Sequence, residues 1–246
     1  MRIGPEETRE DLQRRGFRFI QPKRGNRFGL DAVLLAYFAA ARPGERVLDL
    51  CCGSGIVPVL LAARQPGLSL TGVEIYPPAA ELARRNGALN GLPLRVICGD
   101  LRELPQLLPG ERFSLVTANP PYFPLGTGKL SPDPALALAR HEVACTLRQV
   151  VERAAGALSP GGRLCLVLRG GRQPELLAEL ERAGLAVRRV RPVFVRPGDT
   201  GKTPRLVLAE GVRPAGREAV AREEAPLFLQ TEAGAESPEL RHIYET

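Results

Sequence analysis

Short apolar runs alternate with segments of helical length from residue 46 to residue 210. This alternation is typical of β-α-β crossover units, because two parallel neighbouring strands need a long connection that crosses one face of the sheet. The pattern predicts an α/β chain with a mostly parallel sheet and helices on both faces. Strands are predicted at 46–50, 68–73, 94–98, 113–118, 163–168, 187–195 and 205–210, and helices at 56–64, 78–90, 147–158 and 174–183.

The segments that flank this core have different patterns. Residues 5–15 carry acids first and arginines last before Gly16, an order that suits a helix dipole and a glycine stop, and they predict an N-terminal helix. Short strands are predicted at 17–21 and 26–28, and Asp31 is predicted to cap the helix that follows. After Arg213 the apolar spacing gives way to charge and alanine. The predicted division is an N-terminal helix and leading segment that covers a ligand site (1–43), a core domain (44–212) and a C-terminal appendage (213–246).

The charge of the chain permits an anionic partner but does not select one. The formal net charge of +7 suits a partner such as RNA. Only three of the 34 basic residues are lysines, and arginine in excess, together with abundant glycine, proline and alanine, also follows from genomic base composition. The charge alone is therefore weak support for RNA binding.

The five cysteines and two histidines argue against a metal site. The chain has no Cys-x-x-Cys pair, and His141 and His242 are far apart in sequence, so we expect no zinc. Free cysteines within apolar runs suit a reducing compartment. No apolar run is long enough for a membrane span, and residues 1–7 do not resemble a signal segment. We therefore expect a cytoplasmic protein without a membrane partner.

One predicted strand ends in Asn119-Pro120-Pro121-Tyr122. Proline cannot donate to a strand ladder, so this strand must stop here, at the sheet edge where open parallel sheets bind ligands. The Asn119 side-chain oxygen and the Pro120 carbonyl can accept both protons of an amine, and Tyr122 can stack on a flat ring. The motif predicts a planar substrate that carries an amine. A proline-rich turn is the plainer interpretation, in a chain with 23 prolines.

A second predicted site follows the strand at 46–50. Gly53 and Gly55 allow the backbone to approach a ligand closely. Pro58 stands where a dinucleotide-binding fingerprint has its third glycine, which argues against NAD. Asp49, inside the strand, suits a ligand with an ammonium group, such as the methionine end of S-adenosylmethionine.

Acids also end the next two predicted strands. Glu74 stands at a position that commonly accepts both ribose hydroxyls. Asp100 is placed to accept from an adenine amine, with Ile75 and Leu101 on the two faces of the ring. Each acid alone is more simply a helix cap or a solvated strand end, but three acids at three successive strand ends favour one nucleoside site.

These residues resemble the motifs of class I S-adenosylmethionine-dependent methyltransferases of the amino-methylating branch. The resemblance covers residues 44–210 and implies a Rossmann-like fold with a seven-stranded, mostly parallel sheet whose last strand is antiparallel. It implies S-adenosyl-L-methionine as cofactor and S-adenosylhomocysteine as product. Cys51 departs from the pattern, since the glycine-rich turn of the family usually begins with glycine there. The implied cofactor-binding residues are Asp31, Asp49, Cys51, Gly53, Gly55, Glu74, Ile75, Asp100, Leu101 and Asn119, and the implied catalytic residues are Asn119, Pro120, Pro121 and Tyr122.

The flanking segments resemble one branch more closely. Gln21, residues 28–36, Asn119 to Phe123 and residues 139–142 are similar to segments of the bacterial tRNA1(Val) (adenine-N6)-methyltransferase family. The implied substrate is the adenosine beside the anticodon of a valine tRNA. The proline- and glycine-rich segment 123–139 is interpreted as a loop and possible lid. Candidate phosphate contacts, each more simply a solvated charge, are Arg24, Arg27, Lys129, Arg140, Arg196 and Lys202.

Other acceptors stay open at this point. The Asn-Pro-Pro-Tyr motif also occurs in enzymes that methylate a glutamine amide of release factors, but the helical domain that those enzymes carry ahead of the core has no room here. Ribosomal RNA and DNA adenine are further alternatives. A non-catalytic scaffold that binds RNA or cofactor is the alternative of another class, and the oligomeric state is undetermined.

Overall fold

The computed structural model of the chain describes residues 3–25, 27–120, 145–216 and 222–245. It begins with an antiparallel hairpin of β1 (Glu7–Asp11) and β2 (Arg18–Pro22), followed by α1 (Leu30–Ala39). The strand predicted at 17–21 is confirmed. Of the strand predicted at 26–28, residue 26 lies outside the described residues, and the other two form no strand.

The N-terminal helix predicted over 5–15 is wrong, because residues 7–11 form β1 instead. The order of acids and arginines has a tertiary cause. Glu7 pairs with Arg85 on a later helix, and Glu10 pairs with Arg27 beyond the hairpin. Pairing with β2, whose residues Phe19 and Ile20 are completely buried, then outweighs the weak local helix signal.

The prediction that Asp31 caps α1 is also wrong. The cap position is Gly29, so Asp31 lies in the first turn of the helix, and its carboxylate accepts from the N–H of Ala32 at 2.9 Å. With Asp31 as the cap the helix would begin at residue 32, whereas the observed helix begins two residues earlier, at Leu30. An acid in the first turn still suits the positive end of the helix dipole.

The strands after the hairpin are β3 (Arg46–Leu50), β4 (Ser69–Glu74), β5 (Leu94–Cys98), β6 (Phe113–Ala118), β7 (Leu158–Arg169), β8 (Ala186–Phe194), β9 (Leu206–Val212), β10 (Arg222–Glu223) and β11 (Leu227–Phe228). Seven of them form the predicted central sheet in the order β5-β4-β3-β6-β7-β9-β8. All neighbouring pairs from β5 to β7 are parallel, and β9 is antiparallel to both β7 and β8. The seven-stranded, mostly parallel sheet with an antiparallel last strand is thus confirmed. Two short strands, β10 and β11, extend its edge in parallel with β8.

Helices cover both faces of this sheet, as predicted. Successive strand residues point to opposite faces, so Val47 and Leu115 pack in one apolar layer, while Leu48 and Val116 pack in the other. After α1 the helices are α2 (Ile56–Arg64), α3 (Pro77–Leu89), α4 (Leu104–Leu107), α5 (Leu147–Ala157), α6 (Gln173–Arg182) and α7 (Pro238–Glu245). The first layer is closed by α1, α2 and α7, and the second by α5 and α6.

The C-terminal segment packs into the first layer. Leu227, Leu240 and Ile243 are buried beside α1 and α2, and the carbonyl of Ile243 accepts hydrogen bonds from both Arg14 and Arg64. The described part of residues 213–246 therefore shares the core of residues 44–212. The division of the chain into three parts stays a prediction.

A buried ionic network fastens the end of α1 to the sheet. Arg163 on β7, 4% exposed, pairs with Glu45 at 2.8 Å and donates to the carbonyls of Ala39 and Ala40. Arg189 on β8 pairs at 2.6 Å with Glu210, a buried acid on β9. The network satisfies carbonyls that a helix leaves without intrahelical partners. No helix in the described part of the chain has both the length and the apolar character of a membrane span.

Candidate active site

A cavity of about 670 Å³ opens at the carboxyl edge of the sheet, where β3, β4, β5 and β6 end. The hairpin and the residues after it form one wall through Glu7, Pro22 and Phe28. The cavity therefore lies between the predicted ligand edge and the leading segment. The sequence-predicted site residues that line it are Asp31, Asp49, Cys51, Gly53, Glu74, Ile75, Asp100, Leu101, Asn119 and Pro120.

Among the predicted site residues that the structure describes, Gly55 alone does not line the cavity. Gly55 faces α3, where a β-carbon in its place would come within 3.1 Å of the Ala83 β-carbon. Because it is glycine, this residue can adopt a positive φ of 83° at the start of α2, and α2 and α3 can pack closely at this point. Pro121 and Tyr122, with the segment 123–139 interpreted as a lid, lie outside the described residues.

The turn after β3 is built from residues with left-handed backbone. Gly53 has a φ of 54°, and Cys51 has a φ of 57°, which a side chain rarely adopts. This conformation explains why a glycine is usual at the first position of such a turn. The partly buried Cys51 thiol is hydrogen-bonded to Cys145, and this bond and the desolvation of the thiol both raise its pKa well above the ordinary value. Cys51 is therefore a neutral thiol at physiological pH.

Asp49 is the most buried acid of the site, with 2% of its surface exposed. In the parallel register it lies between Gly72 on β4 and Thr117 on β6. The Thr117 hydroxyl donates a hydrogen bond of 2.6 Å to Asp49 Oδ1. Burial raises the pKa of Asp49 to about 7, the bond from Thr117 lowers it, and the charge of Glu74 raises it. The carboxyl group is thus close to half-ionised at neutral pH.

Glu74, 9% exposed, is fixed by two backbone donors. The N–H of Gly53 donates to Oε2 and the N–H of Tyr76 donates to Oε1, each at 2.8 Å. Burial raises the pKa of Glu74, and these backbone hydrogen bonds oppose the shift. A carboxylate has about four acceptor positions, so acceptor capacity remains for a ligand in the cavity.

Asp100 already has a partner in the structure. Its carboxylate accepts from the backbone N–H of Arg102 at 2.9 Å and from Arg102 Nε at 2.8 Å. The Arg102 guanidinium lowers the pKa of Asp100, so this acid stays ionised. A ligand amine would share the carboxylate with Arg102. Ile75, 37% exposed, and the buried Leu101 supply apolar surface to the cavity wall.

Asn119 and Pro120 end β6 at the cavity, and Asn119 is partly buried. Two predicted phosphate contacts, Arg24 and Arg27, line the mouth, and Arg27 is paired with Glu10 at 3.0 Å. Arg196 and Lys202 lie away from the cavity, and Lys202 pairs with Asp199. The predicted contacts Lys129 and Arg140 lie outside the described residues.

Two residues of the site were missed by the sequence reasoning. Thr117 and Arg102 each hold one of the predicted acids. A threonine in a mostly apolar strand, two positions before Asn119, was a signal for the first. For Arg102, the signal was a cation two residues after a strand-terminal acid. Across the described ranges, no three acids, cysteines or histidines are grouped as metal ligands.

Comparison with known proteins gives three findings. A family model described as the methyltransferase small domain matches residues 30–183. A tRNA1(Val) (adenine(37)-N6)-methyltransferase from Porphyromonas gingivalis is 33% identical over 231 residues, which cover 89% of this chain and 87% of that protein. A release factor glutamine methyltransferase from Deinococcus radiodurans is 37% identical over 163 residues, which cover 64% of this chain and 55% of that protein.

Among solved structures, a predicted O-methyltransferase from Agrobacterium tumefaciens is similar to this chain with a TM-score of 0.67. The match covers 87% of this chain and 95% of that one, at 24% identity. Similarity at this level of identity concerns the fold alone.

Proposed function

The chain belongs to the methyltransferase small domain family, and we propose that it methylates the exocyclic N6 amine of the adenosine beside the anticodon of tRNA(Val). The observation that carries the proposal is the meeting of Asn119 with three acids, Asp49, Glu74 and Asp100, in one cavity at the sheet edge. The similarity to the tRNA methyltransferase extends over most of both chains, which supports this acceptor.

The cavity suits S-adenosylmethionine in volume and in the chemistry of its acids. Its volume of about 670 Å³ lies within the range of sites for ligands of this size, about 300–1,000 Å³. We assign Asp49 to the ammonium group of the cofactor, with Asp31 ordering the same end. Glu74 would accept the ribose hydroxyls through its remaining acceptor capacity.

The remaining predicted residues complete this cofactor site. Asp100 would accept from the adenine amine, and Ile75 and Leu101 would contact the ring. The turn at Cys51 and Gly53 would let the backbone approach the ligand, because Gly53 has no side chain to block it. Bound there, the cofactor supplies an electrophilic methyl group.

Asn119 and Pro120 would orient the acceptor amine. The Asn119 side-chain oxygen and the Pro120 carbonyl accept its two protons, which favours a pyramidal nitrogen with its lone pair free. Positioning of this kind contributes about 7–11 kcal/mol in favourable cases. The same acceptors bind more strongly as positive charge develops on nitrogen. A dedicated general base is not needed, because the methylated ammonium is itself a strong acid.

The base must leave its stack before it can reach Asn119. We assign Tyr122 to stacking on the extruded adenine, a contact worth about 1–3 kcal/mol, with Pro121 keeping the motif rigid. Arg24 at the cavity mouth is exposed and suits a phosphate of the RNA backbone.

Methyl transfer to purified acceptors tests the proposal. The chain is incubated with labelled cofactor and unmodified tRNA(Val), ribosomal RNA, DNA or a release factor, and nucleosides are identified by mass spectrometry. We expect N6-methyladenosine in tRNA(Val) alone. The Asn119→Ala variant should lose turnover but keep cofactor affinity within a few fold. Gln106→Ala, which removes an exposed amide on α4, is the matched control and should keep full turnover.

A release factor is the second candidate acceptor, because one relative of that name shares 37% identity over 163 residues. Methylation of a glutamine amide, with none in tRNA, would replace the proposed acceptor. Cofactor binding without transfer to any of the four acceptors would indicate a scaffold. Full turnover by Asn119→Ala would reject the assigned role of Asn119.

A further inference from the structure

We propose that Thr117 is a positioning residue for the cofactor: its hydroxyl holds the Asp49 carboxylate in the orientation and charge state that binds the cofactor ammonium group. This inference rests on the proposed function and deepens it, since it concerns the same site. Thr117 lies two residues before Asn119, on the same strand, and is completely buried.

The sheet register leaves Thr117 as the side chain that addresses Asp49 from a neighbouring strand. On β4 the residue opposite Asp49 is Gly72, which has no side chain to offer. A β-carbon at Gly72 would lie 2.7 Å from Cys52 Sγ, so the turn packs directly on that glycine. On β6 the opposite residue is Thr117, and its hydroxyl reaches Asp49 Oδ1 at 2.6 Å.

One oxygen of Asp49 is therefore held while the other remains for the ligand. Across the described residues, Asp49 Oδ2 accepts no hydrogen bond from the protein, and Asp49 lines the cavity. A carboxylate with one fixed oxygen keeps its orientation without losing the second acceptor. A cationic group of the ligand suits this second oxygen because charge-assisted hydrogen bonds are the stronger ones.

The charges around Asp49 make its ionisation depend on the hydrogen bond from Thr117. Glu74, at the end of β4, repels the ionised form, and Asp31, on α1, is a second acid that lines the same cavity. Cys51 and Cys52 in the turn have pKa values raised well above the ordinary value, so both thiols are neutral. Arg24, Arg27 and Arg85 lie with Glu6, Glu7 and Glu81 along the cavity lining, and Asp100 lies at the end of β5.

Cofactor affinity should then depend on pH in a defined direction. Below pH 7 the carboxyl of Asp49 is increasingly protonated, and a ligand ammonium must displace that proton to bind. The dissociation constant should rise by about tenfold per pH unit on this acid side. Loss of the Thr117 hydroxyl removes the contribution that lowers the pKa, so the same rise should begin at a higher pH. The α-amino group of the ligand itself titrates at about pH 8, so the proteins are compared only on the acid limb of the curve of dissociation constant against pH.

The test is calorimetric titration of S-adenosylmethionine and of 5′-methylthioadenosine into the protein. The titrations are made between about pH 5.5 and pH 7.5, the range in which the dissociation constant should rise as the pH falls. The second ligand has adenine and ribose but no ammonium group. We expect Thr117→Val to weaken S-adenosylmethionine binding by about tenfold at pH 7 and to move the acid limb upward. Thr117→Ser keeps the hydroxyl and should bind like the wild type. All three proteins should bind 5′-methylthioadenosine equally.

Three outcomes would overturn the inference. They are an acid limb unchanged in Thr117→Val, an equal loss of affinity for both ligands, or a wild-type affinity that does not change with pH. If Thr117→Val does not fold by circular dichroism, Asp49→Asn replaces it, and its S-adenosylmethionine affinity should no longer rise with pH. Failure of the wild type to bind the cofactor would reject the proposed function as well. Cofactor binding without RNA methylation would reject the acceptor and leave this inference standing.

Discussion

The backbone N–H of Gly53 donates a hydrogen bond of 2.8 Å to Glu74 Oε2, and this bond ties the turn after β3 to the end of β4. A second bond from Tyr76 N–H fixes the other oxygen at 2.8 Å. Two elements that line the cavity are therefore positioned by one side chain. A change at Glu74 acts on both of them.

Replacement of Glu74 by alanine should weaken S-adenosylmethionine binding by about 2–4 kcal/mol, because it removes an acceptor for the ligand and leaves the Gly53 N–H without its partner. Isothermal titration calorimetry at about pH 7.5 measures the change in the dissociation constant directly. Glu179→Ala, on α6 and far from the cavity, is the matched control and should bind like the wild type. An unchanged dissociation constant in Glu74→Ala would remove Glu74 from the assigned ribose role.

Asp49→Asn should stabilise the ligand-free protein at alkaline pH. The pKa of Asp49 is about 7 in the folded chain, above the ordinary value for an unfolded chain. The folded state therefore binds more protons between these values, and the free energy of unfolding falls as pH rises through this window. The variant lacks this loss and should be more stable than the wild type by about 2–4 kcal/mol at pH 8, but not near pH 4.

Urea unfolding at the two pH values measures this difference, since all other titrating groups are common to both proteins. Equal stability at pH 8 would mean that Asp49 ionises without cost in the folded chain. The variant should at the same time bind S-adenosylmethionine weakly, so the same residue would favour function at the expense of stability.

Arg163→Met should lower the free energy of unfolding by about 3–5 kcal/mol, because it leaves the partly buried Glu45, the buried Glu210 and the last carbonyls of α1 with fewer partners. Arg163 lies in the interior and is paired with Glu45 at 2.8 Å. Arg148→Met removes an exposed pair with Glu152 and should cost less than about 1 kcal/mol. Equal losses in the two variants, by urea unfolding, would contradict a structural role for the buried network.

Cys51→Gly and Cys51→Ala separate backbone strain from the loss of the thiol. Cys51 has a φ of 57°, a conformation that costs about 1–2 kcal/mol for a residue with a β-carbon. Both variants lose the sulfur, but only glycine removes the β-carbon. Cys51→Gly should therefore unfold at a higher temperature and be more stable than Cys51→Ala by about 1 kcal/mol. A lower stability of the glycine variant would show that the turn accommodates the side chain without strain.

The central fold could be predicted from the sequence because its middle strands β3 and β6 are buried on both faces and carry a largely apolar signal. Residues 46–50 and 113–118 read as strands for this reason, and the strand-end positions of Asp49, Glu74 and Asp100 followed from them. The cavity then brought these acids together, since the carboxyl ends of parallel strands share one edge.

The features that were not predictable depend on partners distant in sequence. The five residues of β1 carry no core side chain, and their pairing with β2 and the ion pair between Glu7 and Arg85 decide their conformation. The bond from Thr117 to Asp49 requires the register between β3 and β6, which no local pattern specifies. The C-terminal segment has few apolar residues, so the packing of Leu240 and Ile243 on α1 gave no periodic signal.

The carbonyl of Ile243 is shared by Arg14, in the turn of the N-terminal hairpin, and Arg64, at the end of α2. The opposite end of the same hairpin supplies Glu7 and Pro22 to the cavity wall. Shortening the chain from its carboxyl side would thus release the hairpin at its far turn. The residence time of a bound nucleoside would then depend on a helix that never touches it.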